Sequence, residues 1–266
     1  MALEPESPAA FDFVTRVART YGKLMQIAAA DPEKGLGGKL FYAGELDPEG
    51  RALVVAANVA GAATLAATAN REMQKQALRD GVADFLVTTL DEALRILKNE
   101  LRKRGTVAVC VALAPDAVER EMQERGVAPD LVRGDVSVAP GHVALATPVK
   151  DQAEPDLTAI PALVTWCVDS ALPKELARLD EIAVQCLDAN ASAARRWLRL
   201  APRYLGRMAQ GLRLLDCDRE FAARFVERVR EHVERGEFAI GFEIRTHFRG
   251  LHDEYRFVPG ESHGTS

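Results

Sequence analysis

The chain has 266 residues, a net charge of -5, 48% hydrophobic and 27% charged residues. A globular domain takes roughly 100–200 residues, so this length suggests two domains and a sizeable core. The acidic balance excludes general nucleic-acid binding, which needs a basic surface, and the absence of any apolar run near the roughly 20 residues of a bilayer helix excludes a membrane-spanning reading. The opening "MALEPESPAAFDF" carries acids and prolines where a secretory leader would be basic and then apolar. The cysteines Cys110, Cys167, Cys186 and Cys217 form no CxxC pair, and they read as reduced thiols in a cytoplasmic protein.

In chain order, Phe13, Val17, Leu24 and Ile27 recur at helical spacing and predict an amphipathic helix over Phe11 to Ala30. Strand and helix then alternate. Lys39 to Ala43 reads as a strand, Leu53 to Gly61 as a helix, Ala63 to Thr68 as a strand and Arg71 to Asp80 as a helix. Ala83 to Thr88 is the next strand. Leu90 to Arg104 carries the clearest apolar stripe, with Thr89 or Asp91 as cap and Gly105 after its end. "TVAVCVAL" is an uninterrupted apolar run suited to a strand covered on both faces, Pro115 to Arg125 is a helix, and "PDLV" opens a fifth strand. Such repeats predict an α/β, Rossmann-like, doubly wound parallel sheet with right-handed crossovers.

The pattern changes after "RGDVSVAPGHVALATPVKDQAEPDLTAIP", a turn-rich stretch that reads as a linker. The division expected is a first domain over 1–145 and a second over 146–266. Lys174 to His232 reads as mostly helical, with Asp216 or Asp218 capping the last helix, and Phe238 to Phe248 reads as a late strand.

Five segments in register carry a family resemblance: "TYGKLMQIAAA", "GGKLFYAG", "AGAATL", "LDEAL" and "RGVAPDLV". Through them, the chain from about Thr20 to Val138 resembles the central NAD-binding domain of urocanase, the urocanate hydratase of histidine breakdown. The resemblance implies an NAD site built on a glycine-rich turn of the GGMGGAQ kind after the first strand. Here the turn reads "GELDPEG", with only Gly44 retained, and Glu45, Asp47 and Glu49 place negative charge where a pyrophosphate would bind. The family's ribose-binding glutamate falls on Thr68, its Gly-Asn-Ala on Leu113, Ala114 and Pro115, and its Gln-Thr-Ser-Ala-His run near Asp135 to Ala139, where only Ser137 is kept. Gly44 and Ser137 are therefore the residual cofactor-binding candidates. The family's cysteine-bearing substrate segment has no counterpart; Cys167 in "VTWCVD" reads as a structural thiol.

Two further clusters stand out. Arg196, Arg199, Arg203 and Arg207 fall at helical spacing with Trp197 and Tyr204 between them, a row able to meet an acidic partner, although Pro202 interrupts it and a solvated helix face explains it as well. His247, His252, Asp253 and Glu254 are metal-ligand residue types, but their spacing fits no standard signature and a polar surface loop is the simpler account. His142 has no identifiable partner. The expected function is a non-catalytic, urocanase-like interaction or regulatory module with no cofactor, no catalytic residue and no metal. The alternatives are an NAD-dependent urocanate hydratase-like lyase with a rebuilt site, or a module for another small ligand. A protein partner on the arginine row and a homo-oligomer are both compatible with the sequence.

Overall fold

The computed structural model describes residues 8–27, 34–136, 161–168, 173–206, 209, 211–248 and 251–257. The chain divides into two compact units, one of Met1–Ala2, Asp12–Val138 and Arg199–Met208, the other of Leu3–Phe11, Ala139–Leu198 and Ala209–Ser266. The expected boundary at 145/146 lies outside the described residues.

In the first unit, α1 (Pro8–Ile27), which begins before the unit does, leads to β1 (Leu40–Glu45), α2 (Pro48–Ala60), β2 (Ala63–Ala67), α3 (Arg71–Arg79) and β3 (Phe85–Val87). There follow α4 (Leu90–Lys103), β4 (Ala108–Val111), α5 (Pro115–Glu124), β5 (Leu131–Val132) and the short α6 (Arg133–Val136). All strand pairs in this unit are parallel and the order is β3-β4-β2-β1-β5. The α/β, Rossmann-like expectation holds.

Alternation of side chains assigns the two faces. Leu40, Tyr42, Leu65, Val109 and Val111 share one buried cluster with Leu90, Ala93 and Leu97 of α4 and Val118 and Met122 of α5. On the other face Thr64 Oγ1 bonds Asn58 Oδ1 of α2 at 3.2 Å, so the helix after β1 and the helices after β3 and β4 cover opposite sides. The chain steps away from β1 through β2 and β3, then crosses back to β5 on β1's free side. The strand order thus reverses between β1 and β5, and open α/β sheets bind ligands at the carboxyl ends of such strands.

Caps follow from side-chain chemistry. Thr89 accepts from Glu92 N at 3.3 Å at the start of α4, and Asn70 accepts from Glu72 N and Met73 N at the start of α3. At the end of α4 it is Arg104, with φ 55°, and not Gly105 that takes the left-handed cap conformation. Gly105 instead donates its N–H to Glu100 O at 2.8 Å, closing the last turn.

The second unit differs from the mostly helical expectation. It holds β6 (Pro161–Val168), α7 (Pro173–Cys186), α8 (Ser192–Leu205, which runs on into the first unit's residues), β7 (Leu212–Asp218), α9 (Arg219–Glu234), β8 (Phe242–Phe248) and β9 (Leu251–Phe257). The four strands form an antiparallel sheet in the order β7-β6-β8-β9. The late strand is real but begins at Phe242; β6 starts where the linker reading ends and fills a stretch assigned no element, β7 lies in what reads as helix, and β9 in what reads as polar loop. Helices α7 and α9 pack on β6. Trp166 of β6 is 1% exposed, its ring 5.0 Å from that of Phe225. Its indole N–H donates to Asp180 Oδ1 at 2.9 Å, and Arg213 Nε meets Asp180 Oδ2 at 3.0 Å, so one carboxylate on α7 joins two strands. Asp218 caps α9 by accepting from Phe221 N at 2.6 Å.

Gly50, buried in the first turn of α2, is a packing glycine: a Cβ there would lie far inside van der Waals contact with Glu45 O. Gly126, with φ +64° and nothing near its Cβ position, is a conformational one. Gly50→Ala should lower stability by about 3 kcal/mol through forced displacement of α2, and Gly126→Ala by only about 1 kcal/mol from its backbone conformation. Urea unfolding of the two variants side by side checks the contrast.

Candidate functional site

The site is built where β1 ends. β1 carries an irregularity between Tyr42 and Gly44, opposite the consecutive β2 residues Leu65 and Ala66, and Gly44 adopts φ +68° to accommodate it. The chain then turns through Glu45, Leu46 and Asp47 into α2, with Pro48 in its first turn. Asp47 is the N-cap and its Oδ1 accepts from Gly50 N at 2.7 Å. A carboxylate of the chain itself therefore occupies the helix N-terminus, the place where a nucleotide-binding fold receives a phosphate.

Arg133, the first residue after β5, closes the arrangement. Its Nη2 lies 3.0 Å from Asp47 Oδ2 and 2.5 Å from Glu49 Oε2, and its Nη1 donates to Glu45 O at 3.5 Å. The adverse charge anticipated from Asp47 and Glu49 is thus partly neutralised from within, across the reversal of strand order. Burial works to raise the Asp47 pKa, but hydrogen bonds from Arg133 and Gly50 N–H outweigh it and hold the carboxyl below its ordinary value. Arg133 was not legible as a site residue; its basic charge just past a predicted strand, facing a turn with three acids, was the available signal.

The other strand ends offer few free polar groups. Thr68, after β2, is fully buried; its hydroxyl accepts from Asn70 N at 3.2 Å and lies 4.0 Å from Met73 Sδ, helping to start α3. After β4, Ala114 caps α5 with no side-chain hydrogen bond and Pro115 contributes no N–H. Burial, with Glu45 adding to it, pushes the Cys110 thiol up to about 12, so this β4 cysteine stays protonated near neutrality. Ser137 and His142 lie outside the described residues. Cys167 sits within β6.

Beside the turn lies a groove of about 800 Å³, between β1, α5 and the start of α6. Tyr42 forms part of its floor; its hydroxyl donates to Glu119 Oε1 at 3.2 Å, with Pro115 O at 3.4 Å. Burial first, then the negative charge of Glu119, raises the Tyr42 pKa, so the phenol remains a donor. Glu45 projects at the end of the same strand. Its Oε1 is buried and no hydrogen bond reaches it.

The arginine row is only partly as expected. Helix α8 continues through Pro202 to Leu205, so the proline does not break it. Arg199 and Arg203 are exposed, Arg196 is half-buried, and Arg207 lies outside the described residues. The aromatic residues face inward: Trp197 is 4% exposed and donates its indole N–H to Leu214 O at 2.7 Å. Arg203 stands over the Tyr204 ring at 5.4 Å. The neighbouring Arg195, absent from the predicted row, bonds Val184 O, Leu187 O and Asp188 O and so caps the end of α7. The histidine cluster falls on the β8–β9 hairpin, with His247 paired opposite His252 and not in a surface loop. Among the described residues no group of His, Cys, Asp and Glu is placed to hold a metal ion, and no helix is long and apolar enough to cross a membrane.

The family model for the urocanase Rossmann-like domain matches residues 17–149, half of the chain. The match spans the parallel sheet, the acid-filled turn and the groove.

Arg133 gives a pH-dependent prediction. A carboxyl whose folded pKa is depressed adds stability above its unfolded pKa and loses it as pH falls through the folded value. Arg133→Gln should therefore cost roughly 0.5–1 kcal/mol at pH 7, a modest figure because these side chains are partly solvated. The gap from the parent protein should begin to narrow below about pH 4, in the ordinary carboxylate range, and close only after pH has fallen through the lowered folded value of Asp47. Urea midpoints across that range measure it.

Proposed function

Because the chain belongs to the urocanase Rossmann-like domain family, we propose that it is a non-catalytic member, an interaction or regulatory module whose phosphate turn is closed by its own side chains. The observation that carries this reading is the Asp47 carboxylate on Gly50 N–H, clamped by Arg133. A helix N-terminus attracts an anion with a fraction of a kcal/mol to about 1 kcal/mol, and Asp47 already takes that gain. An entering pyrophosphate must displace it. The phosphate would also face Glu45 and Glu49, and one like-charge pair at about 4 Å costs on the order of 4 kcal/mol at an effective dielectric of 20 before screening. Thr68, which falls where the family has its ribose-binding glutamate, has its hydroxyl engaged by Asn70 N.

Calorimetric titration with NAD should show no binding tighter than about millimolar. Turnover of urocanate with NAD supplied should be absent. Micromolar NAD binding, or turnover abolished by a point substitution in this chain, would reverse the reading in favour of a lyase with a rebuilt site.

The partner surface is the exposed side of α8. Arg199 and Arg203 are one turn apart and point to solvent, while Trp197 beneath them is fixed in the core. Such a face suits an acidic protein partner. The double variant Arg199→Glu, Arg203→Glu should lose a partner captured from cell extract and identified by mass spectrometry, with stability changed by only about 0.5 kcal/mol. Undiminished capture would leave these arginines as a solvated face.

A further inference from the structure

We propose that the groove between β1 and α5 binds a small organic cation: an ammonium, amidinium or guanidinium group carried on a compact apolar body. This goes beyond the reading of the closed turn and concerns the adjoining cavity. Its walls are largely apolar, supplied by Met122, Val127, Ala128, Pro129 and Val132. A volume of about 800 Å³ is of the size that receives small molecules, where apolar walls take the body of a ligand and a few polar groups orient it.

The polar groups at the floor show a shortage of donors. Glu45 lines the groove, and its Oε1 is buried with no hydrogen bond to it. A carboxylate oxygen left without a donor is a costly state, and rotation of the half-buried Glu45 carboxylate toward the groove would let a cationic N–H relieve it. No lining residue is placed to do so. Arg133 is the one cation among the lining residues, and its guanidinium is engaged by Asp47, Glu49 and the Glu45 carbonyl, not by the Glu45 side chain. The Tyr42 hydroxyl, the other strong donor in the floor, is spent on Glu119. Glu119 adds a second carboxylate to the lining, so a ligand enters a field of negative sign. That field rejects nucleotides and carboxylic acids and admits a cation. The geometry of Glu45 accounts for the sign: the irregularity at Gly44 lets Tyr42 and Glu45 lie on the same face of β1, opposite Leu65 and Ala67, along the floor of the groove.

The test uses the full chain and benzamidine as the cationic probe, with benzamide as its neutral counterpart and benzoate as its anionic one. Near pH 7, benzamidine should bind saturably and at least about tenfold more tightly than benzamide, and benzoate should not bind. Saturation-transfer contacts should run from the probe ring to the Met122 methyl group. Glu45→Gln should weaken benzamidine about tenfold while leaving the benzamide affinity and the thermal midpoint unchanged. Glu254→Gln, an exposed carboxylate in the second unit, should have no effect. The proposal is overturned if benzamidine and benzamide bind equally, if benzamidine does not bind up to about 10 mM, or if Glu45→Gln is neutral. Should that variant fail to fold, the comparison of the three probes and the Met122 contact decide alone. NAD titration reads the α2 turn and this titration reads the α5 groove, so either reading can fail without the other.

Discussion

Arg133 is held between two elements that a parallel sheet brings together only after the chain has crossed it twice. It follows β5, the last strand of the sheet, and reaches the first turn of α2, the helix that follows β1. The ion pairs it makes with Asp47 and Glu49 neutralise carboxylates gathered at the helix start and tie the loops after β1 and β5 to each other. Such a clamp contributes little stability by itself, since its members are partly solvated. Its consequence is occupancy, because any anion approaching α2 must compete with a carboxylate that is already bonded to the backbone.

The second unit solves a related problem with the same means. A buried tryptophan needs an acceptor for its indole N–H, and a buried arginine needs a counter-charge. Asp180 serves both, joining Trp166 of β6 and Arg213 of β7. Burial raises the Asp180 pKa above its ordinary value against the pull of Arg213, so the site bears a desolvation cost that the two bonds offset. Phe221 and Phe225 of α9 then pack over the same strand. The sheet is fixed by one polar junction inside an apolar layer, which specifies register more narrowly than apolar packing alone.

Legibility divided along the same line. The parallel unit was readable because each strand is a run of apolar residues bounded by capped helices; "TVAVCVAL" and the leucine stripe of α4 admit few alternatives. The antiparallel sheet was not, since its strands mix burial with exposure. In β9, Asp253, Glu254 and Arg256 are exposed while Phe257 is buried, so the segment reads as polar unless its partner β8 is known. In β7, "LRLLDCD" continues the composition of the helix before it. The arginine row was visible as spacing, but not that Arg195 would turn inward to cap α7 and Trp197 would anchor the helix. At the site, the acids of the turn were legible in the sequence and their counter-ion was not, because nothing local in sequence links position 133 to positions 47 and 49.

The glycines of the turn separate two requirements that are usually met together. In a dinucleotide-binding turn, one glycine permits the tight bend, another allows the backbone to approach the pyrophosphate, and a third lets the helix pack close to the strand. Here Gly44 takes a left-handed conformation beside the strand irregularity, and Gly50 leaves room for the Glu45 carbonyl under α2. The residues between them are three acids, a leucine and a proline. Gly44 and Gly50 therefore mark what the strand-turn-helix geometry demands of the backbone. Glycines at the two ends of such a turn are accounted for by the fold alone, so by themselves they say nothing either way about a bound nucleotide.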